Sequence, residues 1–176
     1  MQAQSSSSAV TGQRAAPAPT GHAIPGLSLS PAYQAELDTW ARSQTSGATA
    51  VGRIKTWLAA GDTSQALDLS GLLLTCLPSL PEQLKKLNAA DNKLVYLPEN
   101  LPRLSTLDVS DNALTRLPEA LPIATLKLLN VSCNELATVP WTDYVLHPGC
   151  EIYLEGNPGV DPRDGGLNAR LPDGCF

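Results

Sequence analysis

Four stretches of this chain follow one pattern. They read Leu67-Asp-Leu-Ser-Gly-Leu-Leu-Leu-Thr-Cys-Leu-Pro78, Leu87-Asn-Ala-Ala-Asp-Asn-Lys-Leu-Val-Tyr-Leu-Pro98, Leu107-Asp-Val-Ser-Asp-Asn-Ala-Leu-Thr-Arg-Leu-Pro118 and Leu129-Asn-Val-Ser-Cys-Asn-Glu-Leu-Ala-Thr-Val-Pro140. A shorter copy, Ile152-Tyr-Leu-Glu-Gly-Asn-Pro158, comes after them. Each copy is too small to bury its apolar side alone, so the copies must stack on one another, and the repeat decides the architecture.

The start of each copy predicts a short β-strand. Leu107 and Val109 flank a polar residue, and this alternation has the period of an extended chain. The leucines followed by an asparagine are typical of a leucine-rich repeat. The distance from Asn92 to Asn112 is 20 residues, and the later copies lengthen to 22 and 23.

Four asparagines occupy one repeat position: Asn92, Asn112, Asn134 and Asn157. An amide side chain carries two donor hydrogens and an acceptor oxygen. Because buried polar groups must be paired, we predict a structural ladder in which these amides bond the backbone where it leaves each strand. The first copy has Leu72 there, which suits an atypical terminal repeat.

The short repeat leaves no room for a convex helix. Prolines such as Pro98 and Pro102 fill that part of the copy and favour extended, polyproline-like backbone. The expected fold is therefore an α/β solenoid of 20–23-residue leucine-rich repeats. It has a parallel β-sheet on the concave face, a proline-rich extended convex side and a two-helix N-terminal cap.

The cap is predicted from the residues before the first repeat. Ser30 can cap a helix that has Pro31 at its first position, and a second helix is expected from Thr49 to Ala60, ending at Gly61. Their apolar positions are Tyr33, Leu37, Trp40, Val51, Ile54, Trp57 and Leu58. An uncapped solenoid would expose its first apolar layer, so we interpret both tryptophans as cap core. A capped end also favours a monomer.

The chain divides into four regions. Residues 1–29 are rich in Ser, Ala and Pro and should form a disordered tail. Residues 30–62 form the helical cap, residues 63–160 the repeats, and residues 161–176 an irregular tail or linker rich in Gly and Pro.

Composition excludes several function classes. The net charge of −5 argues against nonspecific nucleic-acid binding, which requires a basic face. No apolar run approaches the ~20 residues that cross a bilayer, and no apolar leader starts the chain. No phosphate loop or metal-ligand spacing occurs, so no cofactor is expected.

The four cysteines are Cys76, Cys133, Cys150 and Cys175, and their spacing fits no zinc motif. Reduced thiols are the expectation without secretory context, and a pair between Cys150 and Cys175 is the alternative. A nucleophilic thiolate needs an activating base or a positive local field, whereas Cys150 is beside Glu151 and Cys175 is near Asp173.

The proline-rich copies resemble a known family. Leu77-Pro-Ser-Leu-Pro81, Leu97-Pro-Glu-Asn-Leu-Pro102 and Leu117-Pro-Glu-Ala-Leu-Pro122 are similar to the repeats of bacterial type III secretion effectors, namely the IpaH/SspH-type ubiquitin ligases and the YopM-type scaffolds. Arg53-Ile-Lys-Thr-Trp-Leu58 resembles the helix before the ligase repeats, and residues 149–158 resemble their last repeat.

This resemblance implies a function. It implies a host protein as partner, a Ser-rich tail that serves as export signal, and type III secretion into the host cytoplasm. In the ligases a helical domain with a catalytic cysteine follows the repeats. Because this sequence stops at Phe176, we expect no enzyme in this chain, but the recognition part of a parent ligase. A stand-alone scaffold is the alternative.

Binding is expected on the concave face, which the outward residues of the strands line. That face is polar and acidic, so a partner with a basic or hydrogen-bonding patch would be complementary. Solvated strand residues without a binding role are the alternative interpretation. The candidates are Asp68, Asn88, Asp108, Asn130 and Tyr153 in one row, Asp91 and Asp111 in a second, and Leu128 as an apolar anchor.

Overall fold

The chain forms two helices followed by a five-stranded sheet. A computed structural model describes residues 29–99, 101–122, 124–139 and 149–159. The predicted tail, the C-terminal linker, Cys175 and both histidines lie outside these residues. The elements are α1 (Pro31–Ala41), α2 (Gly47–Ala60), β1 (Leu67–Asp68), β2 (Lys86–Asn88), β3 (Thr106–Asp108), β4 (Leu128–Asn130) and β5 (Glu151–Tyr153).

The two helices form the predicted cap. Ser30 caps α1, where its Oγ accepts a hydrogen bond from the Tyr33 backbone N–H at 3.1 Å, and Gly61 ends α2 in the left-handed conformation that glycine adopts without strain. Helix α2 begins at Gly47, two residues earlier than predicted. The Ala50 N–H bonds the Ser46 carbonyl at 3.0 Å, which includes Gly47 in the first turn. Glycine fits there because a Cβ would lie 2.6 Å from the Cα of Ala41.

The strands form one parallel sheet in chain order, β1-β2-β3-β4-β5. Each strand pairs with the next in a register that places equivalent repeat positions side by side. One residue of each strand points into the core and is buried, and these residues are Leu67, Leu87, Leu107, Leu129 and Ile152. The predicted solenoid with a concave parallel sheet and a helical cap is therefore confirmed. The concave face is the side of the sheet opposite this core.

The asparagine ladder is confirmed. The Asn134 oxygen accepts from the Leu114 N–H at 2.9 Å, and its amide donates to the carbonyls of Val109, Val131 and Ser132 at 2.9, 3.0 and 3.1 Å. Asn92, Asn112 and Asn157 make equivalent bonds. Each amide thus ties its own turn to the preceding repeat, which keeps the leucine layers in register.

The residue before this ladder position has a positive φ in every repeat. The angles are +66° at Gly71, +53° at Asp91, +52° at Asp111, +51° at Cys133 and +72° at Gly156. Glycine and aspartate are among the residues that tolerate this left-handed region best. The turn therefore demands a left-handed conformation, which glycine adopts in the first and last repeats, aspartate in the second and third, and Cys133 in the fourth.

Arg53 of α2 covers the open edge of β1. Carbonyl oxygens on this side of the inner strands accept N–H groups from the preceding repeat, as Asn88 does from Leu69 at 2.7 Å. No repeat precedes β1. The Arg53 guanidinium instead donates to the carbonyls of Asp68 and Ser70, both at 3.2 Å. Arg53 thus pairs the outer carbonyls of β1, as a neighbouring strand does for the other strands. It also blocks edge-to-edge pairing at β1.

Tyr33 ties α1 to the convex side, and it predicts a pH effect. Its hydroxyl donates to the Ser79 carbonyl at 2.7 Å. Burial raises the pKa of Tyr33 from 10.0 to about 12, and the Glu36 charge contributes to a lesser degree. The folded state therefore disfavours the tyrosinate, and this contribution to stability is complete below pH 10 and falls as the pH rises towards 12. Unfolding free energies should drop more steeply across this window for the wild type than for Tyr33→Phe. Parallel curves would contradict the assignment.

Candidate partner-binding face

The predicted row of strand residues exists. The register places Asp68, Asn88, Asp108, Asn130 and Tyr153 side by side on the five strands. A second row consists of Lys86, Thr106, Leu128 and Glu151, and it lies two residues earlier on each strand. The buried leucines separate these rows in sequence, so both rows line the concave face.

The first four members of the row also have a structural task. Asp68 Oδ1 accepts from both the backbone N–H and the hydroxyl of Ser70, at 3.0 and 2.6 Å. Asp108 and Asn130 hold the serine two residues later in the same way, and Asn88 holds the Ala90 N–H at 3.1 Å. These side chains therefore shape the turn that ends each strand, a use that spacing alone did not reveal.

These bonds affect the charge of the row. The two bonds from Ser70, and to a lesser degree the nearby Arg53, lower the pKa of Asp68, which keeps it ionised. Asn130 also donates to Asp108 Oδ2 at 3.3 Å. The middle of the row is thus internally bonded, and the polar groups it offers to a partner are fewer than its sequence indicates.

Tyr153 and Leu128 are the less polar candidates. Both are partly buried, so part of each side chain reaches solvent. The Tyr153 hydroxyl donates to Glu151 Oε2 at 3.5 Å, the outer limit of a hydrogen bond. An aromatic ring with such a loosely held hydroxyl can exchange this bond for one to a partner.

Asp91 and Asp111 lie beyond the strands that precede them. They occupy the left-handed turn position, are exposed, and therefore border the concave face. Neither carboxylate has an ion pair in the described part of the chain. Asp91 and Asp111 therefore occupy equivalent positions, as the sequence predicts, but they lie in the turns after the strands and not on the strands.

The sequence did not predict the buried environment of the Glu155 carboxylate. Both carboxylate oxygens are buried, and neither has a hydrogen-bond partner within the described residues. The equivalent positions of two earlier repeats hold the small buried residues Ser110 and Ser132. The one available signal was a glutamate at a position where the other copies have serine or alanine.

The cysteines differ from both expectations. Cys133 takes part in a disulfide, while Cys76 and Cys150 have free thiols. The suggested pair between Cys150 and Cys175 is therefore wrong, because composition and compartment do not say which thiols meet in space. Burial and the Glu151 charge raise the pKa of Cys150, the opposite of what a nucleophilic thiol requires.

The described residues contain neither a metal-binding cluster nor a membrane-spanning helix. No group of three or more His, Cys, Asp or Glu side chains among them is arranged to hold a metal ion. No helix within the same residues is long and apolar enough to cross a membrane.

Comparison with known proteins identifies the type of repeat. No protein-family model matches the chain, and no curated protein matches it. Among solved structures, a leucine-rich repeat domain of a Shigella effector matches with a TM-score of 0.66 and 32% identity over 76% of this chain. The chain contains a leucine-rich repeat domain of the bacterial effector type.

Two YopM structures extend this likeness. The leucine-rich effector protein YopM from Yersinia pestis is 27% identical over 72% of this chain, with a TM-score of 0.54. YopM from Yersinia enterocolitica is 26% identical over 72%, with a TM-score of 0.53. The chain spans 60% of the Shigella domain and 41% and 33% of the two YopM chains, less than two thirds of each.

Proposed function

We propose that this effector-type repeat domain recognises a host protein through its concave face. It would serve as the target-recognition part of a ubiquitin ligase that type III secretion delivers into the host cytoplasm. The Ser-rich start of the sequence supports the export route, since effectors of this kind carry such signals. Nucleic acid, membranes and cofactors have no part in the proposal.

One observation carries the proposal: no described helix or strand covers the concave face. A parallel sheet is normally covered on both faces. Here the leucine core covers one face, and among the described helices and strands the sheet contacts only α2, at β1. The rows on the other face combine hydrogen-bonding groups with Tyr153 and Leu128, a mixture that suits a protein interface.

The ligase part rests on the resemblance. The helix before the repeats and the last repeat are similar to those of the ligase group, whose catalytic cysteine lies in a following domain. The gene sequence downstream of Phe176 tests this part. A helical domain with a cysteine that forms ubiquitin chains from a charged conjugating enzyme would support it, and an unrelated sequence would oppose it.

The concave-face proposal predicts a loss of binding. We expect Asp108→Arg combined with Tyr153→Ala to reduce recovery of the host partner from lysate about 30-fold or more, because Asp108 lies on the central strand and Tyr153 is the aromatic member of the row. The measurement is quantitative mass spectrometry of proteins captured by immobilised full-length chain. Thermal unfolding by circular dichroism checks that the variant remains folded, since Asp108 also holds Ser110.

A matched variant provides the control. Glu119→Arg with Tyr96→Ala makes the same kinds of change at exposed residues away from the concave face. It should capture the partner as the wild type does. Equal recovery of every host protein by the wild type and the Asp108→Arg/Tyr153→Ala variant would remove the concave face from the mechanism.

A second candidate function has support from another surface. Leu73, Val95 and Tyr96 lie outside the strands and expose 50%, 48% and 53% of their surface. These residues belong to the first two repeats, and exposed apolar side chains that form a contiguous patch mark interaction sites. A stand-alone scaffold that joins two host proteins would use this surface beside the concave face. Loss of a second captured protein in the Glu119→Arg/Tyr96→Ala variant would favour this function.

A further inference from the structure

Glu155 combines burial with an unsatisfied charge. It follows β5 directly, and its carboxylate oxygens Oε1 and Oε2 are both buried with no donor among the described residues. Removing a carboxylate from water is costly unless it is paired with a cation or a hydrogen-bond donor. The residue as a whole keeps some solvent contact, so the carboxylate lies close to the protein surface. Within the described residues it lacks a positive partner.

The described neighbours of Glu155 do not supply one. The ion pairs of the described residues are Arg53–Asp68, Lys55–Asp38 and Arg116–Glu99. None of them involves Glu155, and none involves the three other carboxylates of this border, Asp91, Asp108 and Asp111. Arg53 bonds β1, at the far end of the sheet. The border where the strands end is consequently acidic, and such a surface attracts cations.

Tyr153 lies beside Glu155 on the same face. Residues two apart along an extended segment point to the same side, and Leu154 between them is buried in the core. An aromatic ring next to a carboxylate forms the two halves of a site for arginine or lysine. The ring packs on the side-chain stem or the guanidinium plane, and the carboxylate pairs with the charge.

We propose that Glu155, with Tyr153 beside it, binds an arginine or lysine side chain of the partner protein. This inference rests on the proposed function and specifies the partner: a protein that presents a basic residue to the last repeat. The acidic border then interacts with further positive charges of the same partner. Glu155 gains its missing counter-charge on binding, so part of the selectivity for a basic partner comes from relief of the unpaired carboxylate.

A small cationic probe tests the site without a known partner. The full-length chain, labelled with ¹⁵N, is titrated with acetyl-arginine amide, and acetyl-glutamine amide serves as the uncharged probe. We expect saturable shifts of the Tyr153, Glu155 and Gly156 backbone amides with the arginine probe alone. Glu155→Gln should weaken its binding tenfold or more, the effect of losing one bond to a charged group, whereas Glu119→Gln should bind as the wild type does.

Each outcome has a consequence. Equal arginine affinity in Glu155→Gln and wild type, or shifts that spare the residues around Glu155, would overturn the inference. If a captured host protein depends on Asp108 and Tyr153 but binds Glu155→Gln unchanged, the pairing with Glu155 is wrong and the concave-face function stands. If the probe binds at Glu155 while no host protein is captured, the failure lies in the proposed function.

Discussion

Replacing Asn92 by alanine is expected to lower the free energy of unfolding by about 3–5 kcal/mol, a large part of the total stability of a domain this size. Asn92 accepts from the N–H groups of Leu72 and Leu74 at 3.1 and 2.9 Å. It also donates to the carbonyls of Leu69, Ala89 and Ala90 at 2.9, 3.0 and 3.1 Å. Alanine removes all of these bonds and leaves buried backbone groups unpaired where no water replaces the amide.

Urea unfolding followed by circular dichroism measures this loss, and Asn88→Ala is the matched control. Asn88 is the same residue type in the same repeat, but it is half-buried and accepts a single bond, from Ala90 at 3.1 Å. Its truncation should cost about 1 kcal/mol or less. If the two alanine variants unfolded at the same urea concentration, the ladder would not hold the repeats together.

The second large effect concerns the corner between the cap helices. We expect Gly47→Ala to lower the free energy of unfolding by about 3 kcal/mol. The new Cβ would lie 2.6 and 2.7 Å from the backbone Cα and C atoms of Ala41. Backbone cannot turn aside as a side chain does, so α1 must move away from α2. The cap would then uncover the first leucine layer.

Gly52 in the same helix provides the opposite case. A Cβ there meets no atom within 4 Å, so Gly52→Ala should raise the free energy of unfolding by roughly 0.5–1 kcal/mol through helix propensity. Thermal unfolding of both variants decides the matter. A Gly47→Ala variant as stable as Gly52→Ala would show that the helices approach each other less closely than the structure indicates.

The repeat pattern predicted most of the fold because its information is local and periodic. The buried leucines, the asparagine ladder and the two helices each follow from residue types at a fixed spacing, and each agrees with the structure. The close approach of α2 to α1 did not follow, since the space at Gly47 is limited by Ala41, a residue of the other helix. Periodicity within one segment contains no information about such a contact.

The sequence predicted that the candidate residues form a row, but not which of their polar groups are free to bind a partner. Spacing placed Asp68, Asn88, Asp108 and Asn130 on neighbouring strands, and the sheet register agrees. Their oxygens are nevertheless partly used by the residues two positions later, which depends on side-chain rotamers that the pattern does not specify. Glu155 is the opposite case, because its sequence position predicts no special role. It becomes distinctive in the structure, where both its carboxylate oxygens are buried without a described donor.

The sequence by itself determined the repeat length, the leucine layers, the asparagine ladder and the effector-type character of this chain. These properties depend on which residue stands at each repeat position. The tertiary structure decided how Arg53 completes the edge of β1, how closely α2 approaches α1, and which carboxylate is left without a partner. Those properties depend on distances between segments far apart in the chain, and such distances exist only after the repeats have stacked.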